Sequence, residues 1–335
     1  MFNVAVVGAT GAVGSVMLRV LEERGFPVTE LRPLASARSA GRELDYLGQG
    51  RTVRELTADS FEGIQIALFS AGATRSREFA PAAVEAGAVV IDNSSAYRMD
   101  DSVPLVVPEV NEGDLEGHSG IVANPNCVAA PLVVALKPLH DAVGLERVIV
   151  SSYQSVSGTG QAAVTELREQ AAGFLSGDEP VPSIYPHPIA FNVLPHIDVF
   201  DESGYTGEER KVAAETRKML GLPDLRISAT CVRVPVLYAH SQSVQIETTD
   251  KISADDARRL LMGAPGVVLV DEPALNRYPL PREAAGRDDV LVGRIREDSS
   301  HDRGLVIWLS SDNLRKGAAT NAVQIAESLV TRGWL

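Results

Sequence analysis

The chain has 335 residues, of which 45% are hydrophobic and only 5% aromatic, enough for two cores rather than one. Its 31 basic and 44 acidic side chains leave a net charge of -13, which argues against a nucleic-acid partner and against anionic membrane surfaces. No charged segment followed by an apolar one opens the chain, and no apolar run approaches the length of a membrane helix, so a soluble cytoplasmic protein is expected. Two cysteines, Cys127 and Cys231, are too few for a disulfide framework.

Residues 2 to 7 form an apolar, β-branched run, and a helical pattern runs from Val13 to Leu21. Between them lies Gly8-Ala9-Thr10-Gly11-Ala12-Val13-Gly14. Glycines at a strand-to-helix junction let the backbone approach a pyrophosphate, which the helix amides then favour. The spacing differs from the commoner G-x-G-x-x-G, and a plain tight turn uses glycine too.

Further runs at Val28 to Ala35, Ile64 to Ser70, Ala88 to Asp92 and Ile121 to Ala123 alternate with helical segments. This predicts a Rossmann-like, doubly wound parallel sheet. Ligands bind such sheets beyond the strands' carboxyl ends, where Ser70-Ala71-Gly72, Asn93-Ser94-Ser95 and Asn124-Pro125-Asn126-Cys127 fall. After the second run, Ser36 to Gly41 offers Arg38 and Ser39 but no carboxylate. That composition suits a 2′-phosphate, hence NADP; a solvated polar loop has the same composition.

From Glu146 the pattern changes to longer strands, Arg147 to Gln154, Leu225 to Val236 and Ser241 to Thr248, which predicts a second, α+β domain. The expected division is 1–126 for the dinucleotide-binding domain and 127–312 for a catalytic and dimerisation domain. A helical pattern over Leu314 to Leu329, within a final segment 313–335, returns to the first domain.

Cys127 precedes a helical pattern from Ala129 to Leu139, and a helix N-terminus lowers a thiol pKa. An inert buried cysteine is the alternative, and Cys231, mid-strand, takes that reading. Tyr153 to Gln161 is a strand, a glycine-rich loop and a helix start, either an anion or nicotinamide site or a simple connection. Thr206 and Glu209 fit a capping box. Glu208 and Lys211 share a helical face, as a surface ion pair or as a presented carboxylate and ammonium. Arg233 and His240 flank Pro235 at an odd separation, so one regular strand would point them to opposite faces and only a bend near Pro235 would unite them. His118, His140, His187, His196 and His301 read as surface or packing residues, and no spacing suggests a metal.

Ten stretches in order, GATGAVG from Gly8, SARSAG from Ser36, DNSSAYR from Asp92, VPEVN from Val107, NPNC from Asn124, YQSVSGTG from Tyr153, AFNVLPHID from Ala190, GYTGEERK from Gly204, RVPVLYAH from Arg233 and DNLRKGAA from Asp312, resemble the aspartate-β-semialdehyde dehydrogenase family along nearly the whole chain. The resemblance implies an NADP-dependent reduction of β-aspartyl phosphate to aspartate-β-semialdehyde in lysine, threonine and methionine biosynthesis, by a homodimer. It implies Cys127 as nucleophile, His240 as acid/base, Gln154 orienting the substrate, Arg233 holding its α-carboxylate and Glu208 meeting its amino group. Arg98 and Lys211 would bind phosphate. Thr10, Gly11, Ala12 and Val13 match the pyrophosphate loop, Arg38 and Ser39 the 2′-phosphate site, Ser157 and Gly158 the nicotinamide side, and Asn313 a late cofactor contact. The chain departs from the family at Val128, where a serine or threonine is usual. An N-acetyl-γ-glutamyl-phosphate reductase, or a catalytically silent NADP-binding paralogue, are the alternatives.

Overall fold

A computed structural model describes residues 1–335. The chain divides into two compact units, Met1–Asn126 with Gly317–Leu335, and Cys127–Lys316. The second unit therefore runs past residue 312 and contains Asn313. No helix is long and apolar enough to cross a membrane.

In the first unit, strands β1 (Phe2–Val7), β2 (Val28–Ala35), β5 (Arg54–Glu55), β6 (Ile66–Phe69), β7 (Val89–Asp92) and β8 (Ile121–Ala123) form one parallel sheet. A hairpin of β3 (Glu43–Tyr46) and β4 (Gln49–Thr52) stands apart from it. The sheet order is β5-β2-β1-β6-β7-β8, so the winding reverses between β1 and β6. Both faces are covered, which is why β6 and β7 are buried at every position and read as continuous apolar runs. Helix α1 (Ala12–Glu23) buries Val16, Met17, Val20 and Leu21, the one-sided spacing of an amphipathic helix. Helix α2 (Ala73–Glu85) contributes Ala80 and Ala83 to a core that includes Phe61 stacked on Phe69 at 5.7 Å between centroids. The terminal α-helix is Thr320–Arg332, and the stretch predicted as its start, Arg315–Ala319, is a wider π-turn.

The second unit holds a mixed sheet of order β10-β9-β11-β14-β13-β12. Its strands are β9 (Leu145–Gln154), β10 (Arg226–Arg233), β11 (His240–Thr248), β12 (Val267–Leu269), β13 (Val290–Glu297) and β14 (Gly304–Ser311). The predicted strand through Val236 stops at Arg233, before Pro235, which has no N–H for the ladder. Along β9, Val148, Val150, Ser152 and Gln154 are buried while alternate residues are partly or fully exposed. Residues Arg233, His240 and Gln242 are also buried. The first unit also holds the single turn α3 (Pro108–Asn111), and the second holds α5 (Gln161–Leu175); helix α4 (Ala129–Val143) is buried from Ala129 to Leu136 and packs on α6 (Gly207–Leu220).

Candidate active site

The first unit's cavity, about 530 Å³, lies where the sheet order reverses, lined by Gly8 after β1, Ala35 at the end of β2 and Ser70 after β6. Gly8 has φ +83°, and a Cβ there would meet the Ser70 carbonyl oxygen at 2.3 Å. At Gly14 a Cβ would lie 2.2 Å from the Gly8 oxygen, so the strand and helix touch through hydrogen alone. Gly11 is the N-cap of α1 and offers no side-chain acceptor, which leaves the first-turn amides for an anion. Thr10, Gly11, Arg38 and Ser39 line the cavity; Ala12 and Val13 open α1 and do not. Four lining residues escape the sequence patterns, Glu55, Leu56, Arg75 and Phe79. Glu55 comes from the two-residue edge strand β5, whose pairing with Ala35 no local periodicity reveals.

The loop after β7 is framed by Asp92, whose buried carboxylate accepts from Ser76 Oγ and Ser94 Oγ at 2.6 Å each. Arg98 is buried beside it, donating through Nε to the Asn124 carbonyl and through Nη2 to the Asn93 carbonyl, both at 2.9 Å. Asn124 Nδ2 donates to Asn93 Oδ1 at 2.5 Å. Of the three polar loops predicted to face one crevice, only Ser70-Ala71 lines the cavity; the other two are tied to each other by Arg98 and Asn124.

In the second unit Cys127 stands just before Val128, the N-cap of α4. Its Sγ is 3.4 Å from Nε2 of His240. His240 is almost fully buried at the first position of β11; Arg233 ends β10, and residues 234–239 join the two strands, with Ala239 at φ +67°. Such a conformation is strained for alanine and is held here by its own N–H donating to Asn313 Oδ1 at 3.0 Å. The Ser155 amide donates to His240 Nδ1 at 3.0 Å. A backbone N–H can only donate, so the neutral ring carries its proton on Nε2, facing sulfur. Burial first, and then the nearby Arg233 guanidinium, push the ring's pKa down to about 3.

Gln154 ends the central strand β9, in register with Arg233 at the end of β10. On its other side Tyr153 pairs with Ser241, which places His240 at the same sheet edge. Three neighbouring strand ends thus supply Arg233, Gln154 and His240. Arg233 Nη1 donates to the Ser155 carbonyl at 2.7 Å, while its buried Nε has no partner. Gln154 Nε2 donates to Ser152 Oγ at 3.1 Å and reaches Glu208 Oε1 at 3.4 Å. Gly158 covers the group closely, since a Cβ there would lie 3.1 Å from Arg233 Nη1 and 3.3 Å from His240 Nε2. Ser157 Oγ donates to Asn313 Oδ1 at 3.1 Å, and the buried Nδ2 of Asn313 is left without a partner.

The capping box forms as predicted, Thr206 N–H donating to Glu209 Oε2 at 2.8 Å and Glu209 N–H to Thr206 Oγ1 at 3.4 Å. Glu209 Oε1 also accepts from the Cys231 amide at 3.0 Å, which pins the start of α6 to β10. Glu208 and Lys211 do not form one paired group. Glu208 is buried beside Gln154, whereas Lys211 Nζ donates to Asp198 Oδ2 at 2.5 Å in a half-exposed pair and holds that carboxyl below its usual range. Cys231 is buried, and desolvation pushes its thiol up to about 12, the inert partner of the two cysteines.

Residues 3–118 match the model of the semialdehyde dehydrogenase NAD binding domain, and residues 136–316 that of the semialdehyde dehydrogenase dimerisation domain. The chain is 54% identical over 99% of both chains to aspartate-semialdehyde dehydrogenase from Aquifex aeolicus, and 52% identical to that from Bacillus subtilis over 98% of this chain and 97% of the other. Among solved structures, aspartate semialdehyde dehydrogenase II from Vibrio cholerae complexed with ASA superposes with a TM-score of 0.95 at 48% identity, covering 99% of this chain and 98% of that one. The aspartate semialdehyde dehydrogenase with NADP from Candida albicans superposes with a TM-score of 0.78 at 26% identity over 100% of both. With its thiol, imidazole, amide and guanidinium gathered on one sheet edge, the chain belongs to the aspartate-semialdehyde dehydrogenase family.

Proposed function

We propose that the chain reduces β-aspartyl phosphate to aspartate-β-semialdehyde, reversibly and with release of phosphate, through a thioester on Cys127. The observation that carries this is the 3.4 Å approach of Cys127 Sγ to His240 Nε2 beside Gln154 and Arg233. The thiolate attacks the acyl carbon, the bond from that carbon to the phosphate oxygen breaks, and phosphate leaves with the electron pair. NADPH, when bound, supplies the hydride that reduces the thioester carbon. The Nε2–H of His240 is aimed to stabilise the oxyanion that forms there, and breaking the C–S bond then frees the aldehyde and restores the thiolate.

Arg233 suits the substrate α-carboxylate, because its planar fork binds two oxygens and its Nε lacks a protein partner. Glu208, buried beside Gln154, suits the amino group and favours a free-amino substrate over an N-acetylated one. Lys211 and Arg98 supply charge for phosphate. Arg38 and Ser39 in the cavity support NADP over NAD, in keeping with the NADP-bound relative. Ser157, Gly158 and the unpartnered amide of Asn313 suit the carboxamide of a nicotinamide. The dimerisation-domain match, together with the exposed Tyr153 packed on Trp308 at 5.3 Å, supports a homodimer.

The test is phosphate-dependent reduction of NADP with aspartate-β-semialdehyde, run with the native protein, with Cys127→Ala and without phosphate. Activity that requires both thiol and phosphate is expected. A folded, NADP-binding protein with no activity would point instead to a silent paralogue.

A further inference from the structure

We propose that Gln242 is a positioning residue for the nucleophile, tying the turn that carries Cys127 to the strand that carries His240. The proposal rests on the reading of Cys127 as nucleophile. The N-cap of helix α4 is the buried, apolar Val128, whose side chain makes no capping hydrogen bond. Its carbonyl accepts from Leu132 N–H at 3.3 Å and from Gln242 Nε2 at 2.9 Å. Gln242 is fully buried on β11. It lies two positions after His240, so both side chains leave the same face of the strand.

One strand therefore holds both ends of the reacting pair, His240 by its ring and Cys127 through the amide at position 242. Because an acceptor carbonyl faces Nε2, the orientation of the Gln242 amide is fixed, and its Oε1 points where no protein donor meets it.

The experiment compares the full-length native enzyme with Gln242→Met, which keeps length and apolar packing but removes the donor. Expected are a kcat lower by about tenfold, the size of one lost buried hydrogen bond, KM for NADP and the semialdehyde within about twofold, and a rise in the pH midpoint of Cys127 alkylation by iodoacetamide. A Gln242→Met enzyme with native kcat and a native alkylation profile overturns the proposal; the Cys127→Ala assay, which tests the function itself, is independent of that result. Gln242→Leu serves as the second variant, since it removes the donor with an apolar side chain of different shape. The same fall in kcat and the same alkylation shift in both folded variants support the tether, and a native profile in either overturns it.

Discussion

The amide of Ser155 and the thiol of Cys127 address opposite nitrogens of one buried imidazole, Nδ1 at 3.0 Å and Nε2 at 3.4 Å. Protonating Nδ1 would set two donors against each other, and Arg233 adds a second positive charge nearby. His240 accordingly stays neutral well below its ordinary range. The alkylation rate of Cys127 should therefore show no step near pH 6.5, the ordinary value for histidine. A clear inflection there, absent in His240→Asn, would refute the neutral ring.

The same shift has a stability consequence of definite sign. Below about pH 6.5 the unfolded chain binds a proton at residue 240 that the folded chain refuses until about pH 3. Stability from this residue is complete above that window and is lost as pH falls through it. Urea unfolding between pH 7 and pH 4 should show the midpoint dropping more steeply for the native protein than for His240→Asn.

The two thiols should separate chemically. Cys127 is partly exposed and Cys231 is buried with its pKa raised to about 12. One equivalent of thiol should react with a disulfide reagent in the native protein and two after denaturation. Cys127→Ser should leave none accessible in the folded state.

Gly158→Ala tests the space above the site without a change of backbone preference, as Gly158 has an ordinary φ. Its Cβ would crowd Arg233 Nη1 and His240 Nε2 at 3.1 and 3.3 Å. A fall in kcat/KM of about tenfold or more is expected, since small misplacements of reacting groups are costly, with Tm nearly unchanged. Gly113→Ala, where a Cβ meets nothing within 4 Å, is the control.

For the cofactor, Arg38→Ala should weaken NADP more than NAD, by about tenfold to a hundredfold, as expected for losing a charge-assisted hydrogen bond. The ratio of KM values for the two cofactors measures it. Equal effects on both would detach Arg38 from the 2′-phosphate.

The parallel sheet was legible because β1, β6 and β7 are buried on both faces and spell continuous apolar runs. The capping box at Thr206 was legible because it is local in sequence. Less accessible was anything set by contacts far along the chain. Strand β14 pairs between β11 and β13, yet nothing in its sequence names those neighbours. Lys211 meets Asp198 across a loop rather than Glu208 on its own helix, a pairing that helical spacing could not show. Arg233 and His240 meet because they sit on two strands that flank β9, joined through a loop that includes a positive φ at Ala239, a residue with no intrinsic preference for it. Gln242 escaped altogether, because a buried amide on an alternating strand looks like packing until its partner is known.

The register of β9 with β10 and β11 also governs how the site comes into being. Gln154 faces Arg233, and Tyr153 faces Ser241, through the hydrogen bonds that build the sheet itself. A slip of one residue would turn Gln154 to the opposite face and leave Arg233 and His240 without it. The same hydrogen bonds that set the strand alignment therefore bring the three groups together.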